Sequence, residues 1–177
     1  MRIDIFFALL TAILLFFLFV RGGLSIAPWV PTRKRDIERI HRMAKLQKRE
    51  VFIDLGCGDG RVAREIALRN PDAIIIGMEI SLFLFAYAYW KNVVFPLPNL
   101  SFQRGDIFQK DLTKGDVFYL FGRRESAGDI EEYFQKTKGR GKRQRLLSYH
   151  FPLPKTTYVR KDKGITEQAT IYEYLLG

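Results

Sequence analysis

The stretch Val51-Phe52-Ile53-Asp54-Leu55-Gly56-Cys57-Gly58-Asp59-Gly60-Arg61-Val62 leaves few folds open to this chain. Val51 to Ile53 is a β-branched and aromatic run that reads as a buried strand. It ends at Asp54 and is followed by three glycines on alternate positions. From Arg61 to Arg69 the spacing turns helical, with Val62, Ile66 and Ala67 on one face. Strand, glycine turn and helix form a unit that cradles a ligand, because residues without Cβ let a small molecule lie against the backbone.

The glycine spacing discriminates between ligands. A dinucleotide fingerprint is G-x-G-x-x-G, whereas this chain has G-x-G-x-G behind a strand-end acid. That pattern resembles motif I of class I S-adenosylmethionine (SAM) methyltransferases. Two further strand ends extend the likeness. Ala73 to Glu79 is a second buried strand closing on an acid, and a carboxylate there can accept both ribose hydroxyls. Leu100 to Arg104 leads into Gly105-Asp106-Ile107, where the family places an acid near the adenine amino group. A lone glycine-rich turn can be only a turn, but three such strand ends in order point to a SAM site. The resemblance implies cofactor contacts from Asp54, Gly56, Cys57, Gly58, Gly60, Glu79, Ile80, Asp106 and Ile107, with no metal.

At 177 residues and 47% hydrophobic, the chain holds one domain and an appendage. Cys57 is the single cysteine, so there is no disulfide framework and a reducing compartment is expected. The net charge is +10. Ile5 to Val20 is sixteen uncharged, mostly apolar residues, about 24 Å as a helix. This is slightly short of a hydrocarbon core of roughly 30 Å, with Gly22 to Ile26 available to extend it. The expectation is an uncleaved transmembrane anchor over 1–26. Past Arg21 come Arg33, Lys34, Arg35, Arg39, Arg42, Lys45, Lys48 and Arg49. By the positive-inside rule this places the protein in the cell membrane as a single pass, with its catalytic domain in the cytoplasm. Ile37, Ile40, Met43, Ala44 and Leu46 form the opposite, buried face of a basic amphipathic helix within the linker region 27–50. Trp29, between Pro28 and Pro31, suits a membrane interface.

The link Pro28-Trp29-Val30-Pro31-Thr32, the run Asp54 to Val62 and Phe151-Pro152-Leu153-Pro154 resemble one group more narrowly. It is the family of membrane-anchored lysine methyltransferases that includes the enzymes for the adenine nucleotide translocase and the ATP synthase c-subunit, with shorter prokaryotic members. The resemblance implies an α/β fold: a Rossmann-like, doubly wound, mostly parallel seven-stranded sheet with a C-terminal antiparallel hairpin over 51–177, preceded by one transmembrane helix. It also implies a membrane-protein substrate, contact with the lipid bilayer through the N-terminal helix, and pocket-lining roles for Pro31 and Thr32.

On the acceptor side, Asp116 to Gly122 reads as the fourth strand. Amide and adenine methylases carry an Asn/Asp-Pro-Pro-aromatic motif at its end, and this chain does not. The loop holding Lys136, Lys138, Arg140, Lys142, Arg143 and Arg145 lacks the interleaved aromatics of a nucleic-acid site, so nucleic acid is not an expected partner. Leu146 to Phe151 is a fifth strand, and Thr156 to Arg160 pairs with Thr170 to Leu176 as the hairpin. Most aromatics of the helix Ser81 to Trp90 are expected against the sheet. Candidates for contact with the reacting groups are Tyr119, Phe121, Tyr149, His150 and Pro152. A lysine must lose a proton before it attacks, and an aromatic, desolvated channel favours the neutral amine, so no general base is assigned. A small lipophilic acceptor such as a quinone or lipid, and a non-catalytic SAM-binding module, are the alternatives.

Overall fold

The computed structural model describes residues 3–23, 30–122, 124, 126–136, 143–165 and 169–176. Helices α1 (Ile3–Gly23) and α2 (Lys34–Ala44) precede the alternating run β1 (Val51–Leu55), α3 (Arg61–Arg69), β2 (Ile74–Glu79), α4 (Leu82–Val94) and β3 (Leu100–Arg104). A 3-10 turn at Ile107–Gln109 leads to β4 (Val117–Leu120), α5 (Ala127–Lys136), β5 (Gln144–Tyr149), β6 (Arg160–Asp162) and β7 (Ile171–Leu176). The seven strands form one sheet in the order β3-β2-β1-β4-β5-β7-β6. The first five run parallel, β7 is antiparallel to β5, and β6 is antiparallel to β7.

The central strands are apolar on both sides because both faces are covered. Phe52, Ile75, Val117 and Leu147 face a core shared with α2 and α3, through Ile40, Ala44, Val62 and Ile66. Ile53, Leu55, Phe118, Leu120 and Leu146 face the opposite core, closed by Ile130 and Phe134 of α5. Reversal of strand order on either side of β1 opens a crevice at its C-terminal edge, the usual ligand position in such sheets.

Three expectations are corrected. Among the described residues, no helix is long and apolar enough to cross a membrane. The uncharged run Ile5 to Val20 covers about 24 Å, against a hydrocarbon core of roughly 30 Å, and Arg21 follows it inside the same helix. The single-pass anchor, the bilayer partner and the cell-membrane localisation with a cytoplasmic domain are therefore not supported. Trp29 and Pro28 lie outside the described residues, as do Lys138, Arg140 and Lys142.

The second correction concerns α4. Its one fully covered residue is Ala88, and Phe83, Tyr87, Tyr89 and Trp90 are exposed rather than packed on the sheet. The helix approaches through a small residue, since the added Cβ of a substituted Gly60 would stand 3.1 Å from the Ala88 Cβ. Aromatic rings at the other positions are then held away from the sheet, and α1 runs alongside this helix. The third correction is to the bounds of the terminal pair, which forms the expected antiparallel hairpin: β6 begins at Arg160, the last residue of the predicted strand, and β7 lies between β5 and β6.

Candidate active site

The turn after β1 is held in shape by its glycines and by β2. Gly56, Gly58 and Gly60 have φ of 76°, 57° and 74°, the left-handed region that other residues enter at a cost. The amides of Gly56 and Cys57 both donate to the Met78 carbonyl, at 2.9 and 2.8 Å. Gly77 serves packing instead, because a Cβ there would stand 2.6 Å from the Phe102 ring and 2.9 Å from the Cys57 sulfur. Phe102 thus fills the slot that Gly60 and Gly77 leave, and wedges the glycine turn against β2. The Cys57 thiol is buried, and burial pushes its pKa well up, so it fills space and supplies no thiolate.

Asp54 is buried and accepts from the Ala63 amide at 3.1 Å, which ties the end of β1 to the first turn of α3. Burial is the main influence on its carboxyl, with the charges of Glu79 and Asp59 adding to it. Together they outweigh the Ala63 amide and push the group up to about 8.

Glu79, at the end of β2, is also buried. One carboxylate oxygen accepts from the Gly58 amide and the other from the Ser81 amide, each at 2.8 Å. A carboxylate has about four acceptor positions, so two remain for a pair of ribose hydroxyls. Ile80 beside it is exposed and Ile107 is buried, while Asp106 is half-buried and accepts from the Phe108 amide at 3.0 Å. A Cβ added at Gly56 would meet nothing within 4 Å, so the turn has open space beside it. These residues fit a nucleoside with a cationic tail. Glu79 would take the ribose, Ile80 and Asp106 the base, and the turn backbone the amino-acid end. When bound, SAM supplies an electrophilic methyl group.

The acceptor candidates gather at the ends of β4 and β5. Tyr119 lies opposite Asp54 in the ladder between β1 and β4. It is buried, and its hydroxyl is 3.0 Å from that of Thr32. Burial pushes the phenol well up, so it stays protonated. Tyr149 is buried as well and donates to Asp36 at 2.7 Å; burial first, then this bond, raise its phenol. Phe121 is half-buried and stands edge-on to Tyr149, with ring centroids 4.7 Å apart. His150 is exposed, has φ of 82° and packs on Phe151 at 4.4 Å. Pro31 and Pro152 are exposed.

The loop after β5 is fastened from below. The Leu153 amide donates to the Tyr174 hydroxyl at 2.8 Å, and the Lys155 amide to Glu131 at 3.0 Å. Two participants escape a reading of the sequence. Ser81 stands there only as the start of an aromatic-rich helix, yet its amide donates to Glu79. Asp36 reads as one acid in a basic run; its i, i+3 spacing to Arg39 is the available signal.

The model of the ANTKMT methyltransferase domain matches residues 54–160, more than half of the chain. The chain belongs to this family. Two curated relatives are similar over most of their length. An ATP synthase c-subunit lysine N-methyltransferase of Caenorhabditis elegans is 28% identical over 147 residues, 79% of this chain and 75% of that protein. A protein-lysine N-methyltransferase of Saccharolobus islandicus is 26% identical over 157 residues, 85% of this chain and 94% of that protein. Among solved structures, an RNA methyltransferase of Salinibacter ruber in complex with S-adenosyl-L-homocysteine (SAH) shares the fold. Its TM-score is 0.74 at 23% identity, over 83% of this chain and 94% of that one. The protein is a SAM-dependent methyltransferase, and SAM is its cofactor.

Proposed function

We propose that the protein methylates the side-chain amine of a lysine in a protein substrate. The observation that carries this reading is the aromatic, water-poor end of β4 and β5, where Tyr119, Phe121 and Tyr149 converge and both phenols keep their protons. Such a wall accepts the alkyl stem of lysine and disfavours its ammonium form, whose ordinary pKa is about 10.4. The amine that remains is itself the nucleophile, so the walls need only orient it. The absence of Asn/Asp-Pro-Pro after β4 and the lysine-directed activities of both long relatives support the same reading.

Incubating the protein with methyl-labelled SAM and extract from cells lacking its gene tests this. Label is expected in methyl-lysine after acid hydrolysis of the protein fraction. Recovery in nucleotides or in the organic-solvent phase overturns the reading. Separating membrane from non-membrane proteins before hydrolysis tests the narrower expectation of a membrane-protein target.

A further inference from the structure

Asp36, in the first turn of α2, has a side chain with no solvent exposure. One of its carboxylate oxygens accepts from the Tyr149 hydroxyl at 2.7 Å and the other from Arg39 at 3.0 Å. Arg39, nearly as buried, continues to the Asp162 carboxylate and the Ala169 carbonyl, each at 2.8 Å. Ion pairs taken out of water add little net stability over well-packed apolar side chains. Ile37, Ile40 and Met43 already pack this helix on the sheet. The polar chain calls for a further role, and its inner end is Tyr149, one of the aromatics proposed above to line the acceptor.

The hydrogen-bond inventory suggests that role. A carboxylate only accepts, so the single proton of Tyr149 is committed to Asp36 and the phenol oxygen has only acceptor capacity left. Arg33 and Arg39 are the cations that act on this hydroxyl. Tyr119, with its ring centroid 6.4 Å away, has its own hydroxyl engaged by Thr32. Phe121 is half-buried and stands edge-on to Tyr149.

We propose that the Tyr149 oxygen accepts a hydrogen bond from the acceptor amine and so turns the amine's lone pair toward the methyl group. Asp36 is the positioning residue that keeps this oxygen an acceptor. The proposal rests on the lysine reading only for the identity of the amine. The nitrogen lone pair forms the new C–N bond as the C–S bond breaks, and the C–S pair leaves with sulfur as neutral SAH. The nitrogen becomes a methylammonium, whose surplus proton passes to water. Positive charge grows on nitrogen along this path. A bond from its N–H to Tyr149 therefore strengthens on the way to the transition state.

Labelled-methyl transfer at saturating SAM tests the pair, with SAH calorimetry as the control for folding and cofactor binding. Tyr149→Phe is expected to slow methyl transfer to the protein fraction roughly five- to tenfold while SAH affinity stays within about twofold, the scale of one charged hydrogen bond. Asp36→Asn should slow it by less, because its amide N–H competes for the phenol oxygen. Variants that bind SAH normally and methylate at the wild-type rate overturn the proposal. Should either variant lose SAH binding as well, the wild-type complex with SAH and n-butylamine decides. An amine nitrogen within about 3.2 Å of the Tyr149 oxygen supports the role, and one beyond hydrogen-bond reach refutes it. Methyl-lysine formed by the variants at the wild-type rate would leave the lysine reading standing and remove this one. Slowed transfer with label outside lysine would do the reverse.

Discussion

Asp54 and Glu79 are both buried carboxylates at the cofactor crevice, yet they act differently. Glu79 is held by two backbone amides and Asp54 by one. Burial pushes the Asp54 carboxyl up to about 8. Near neutrality the folded, cofactor-free protein therefore keeps a proton on Asp54 that the unfolded chain has released. An excess of protons in the native state makes stability fall as pH rises, here from about 4 to about 8. Asp54→Asn removes that slope. Its melting temperature should match wild type near pH 4 and exceed it by a growing margin toward pH 8, as read by thermal melts across that range. A cationic ligand favours the ionised form, so wild-type SAM affinity should rise several-fold from pH 6 to 8, and that of SAH less; a flat SAM profile contradicts this. Glu79→Ala should weaken SAM by about 1.5–3 kcal/mol in calorimetry. At this scale the buried placing of Asp54 and Glu79 at strand ends was legible, because an acid closing a β-branched run has few uses in a core. Asp36 was not. Its chemistry depends on Tyr149, 113 positions away, and local spacing carries no trace of such a pairing.

Elements were easiest to read where both faces are covered. β1, β2 and β4 are continuous apolar runs, and a strand buried on both sides has no other pattern available. α2 showed its apolar stripe, and Ile37, Ile40, Met43 and Ala44 are buried. α4 misled because periodicity reports which residues are apolar and not which side meets the sheet. Its contact face is defined by the small Ala88 against the glycine turn. Two substitutions should separate the faces in chemical denaturation. Ala88→Leu overpacks a closed contact and should cost about 1–3 kcal/mol. Trp90→Lys, at a 56% exposed position, should stay within about 0.5 kcal/mol of wild type.

For the whole molecule, the parallel order of the first five strands places Asp54, Glu79, Tyr119 and Tyr149 toward one edge of one sheet. Ligand binding at that edge should stabilise the entire domain. SAH at a hundred times its Kd adds about 2.7 kcal/mol by mass action, or roughly 5–10 °C in melting temperature for a chain of this size. A smaller shift, seen by calorimetric scanning, would mean that the crevice opens before the rest unfolds. The N-terminal segment shows the limit of reading at this scale. An uncharged run slightly short of the bilayer, with a basic flank behind it, suggested a membrane span, yet among the described residues no helix is long and apolar enough to make one.

The position of β7 between β5 and β6 also bears on how the chain is made. During synthesis the strands β1 to β5 can assemble in the order they emerge. β6 leaves the ribosome with no neighbour to pair with, and it gains one only after Ile171–Leu176 has followed and turned back. Until then β5 carries an open edge lined by Leu147 and Tyr149, where another nascent chain could add. The domain thus passes through its most aggregation-exposed moment between the emergence of β5 and that of β7.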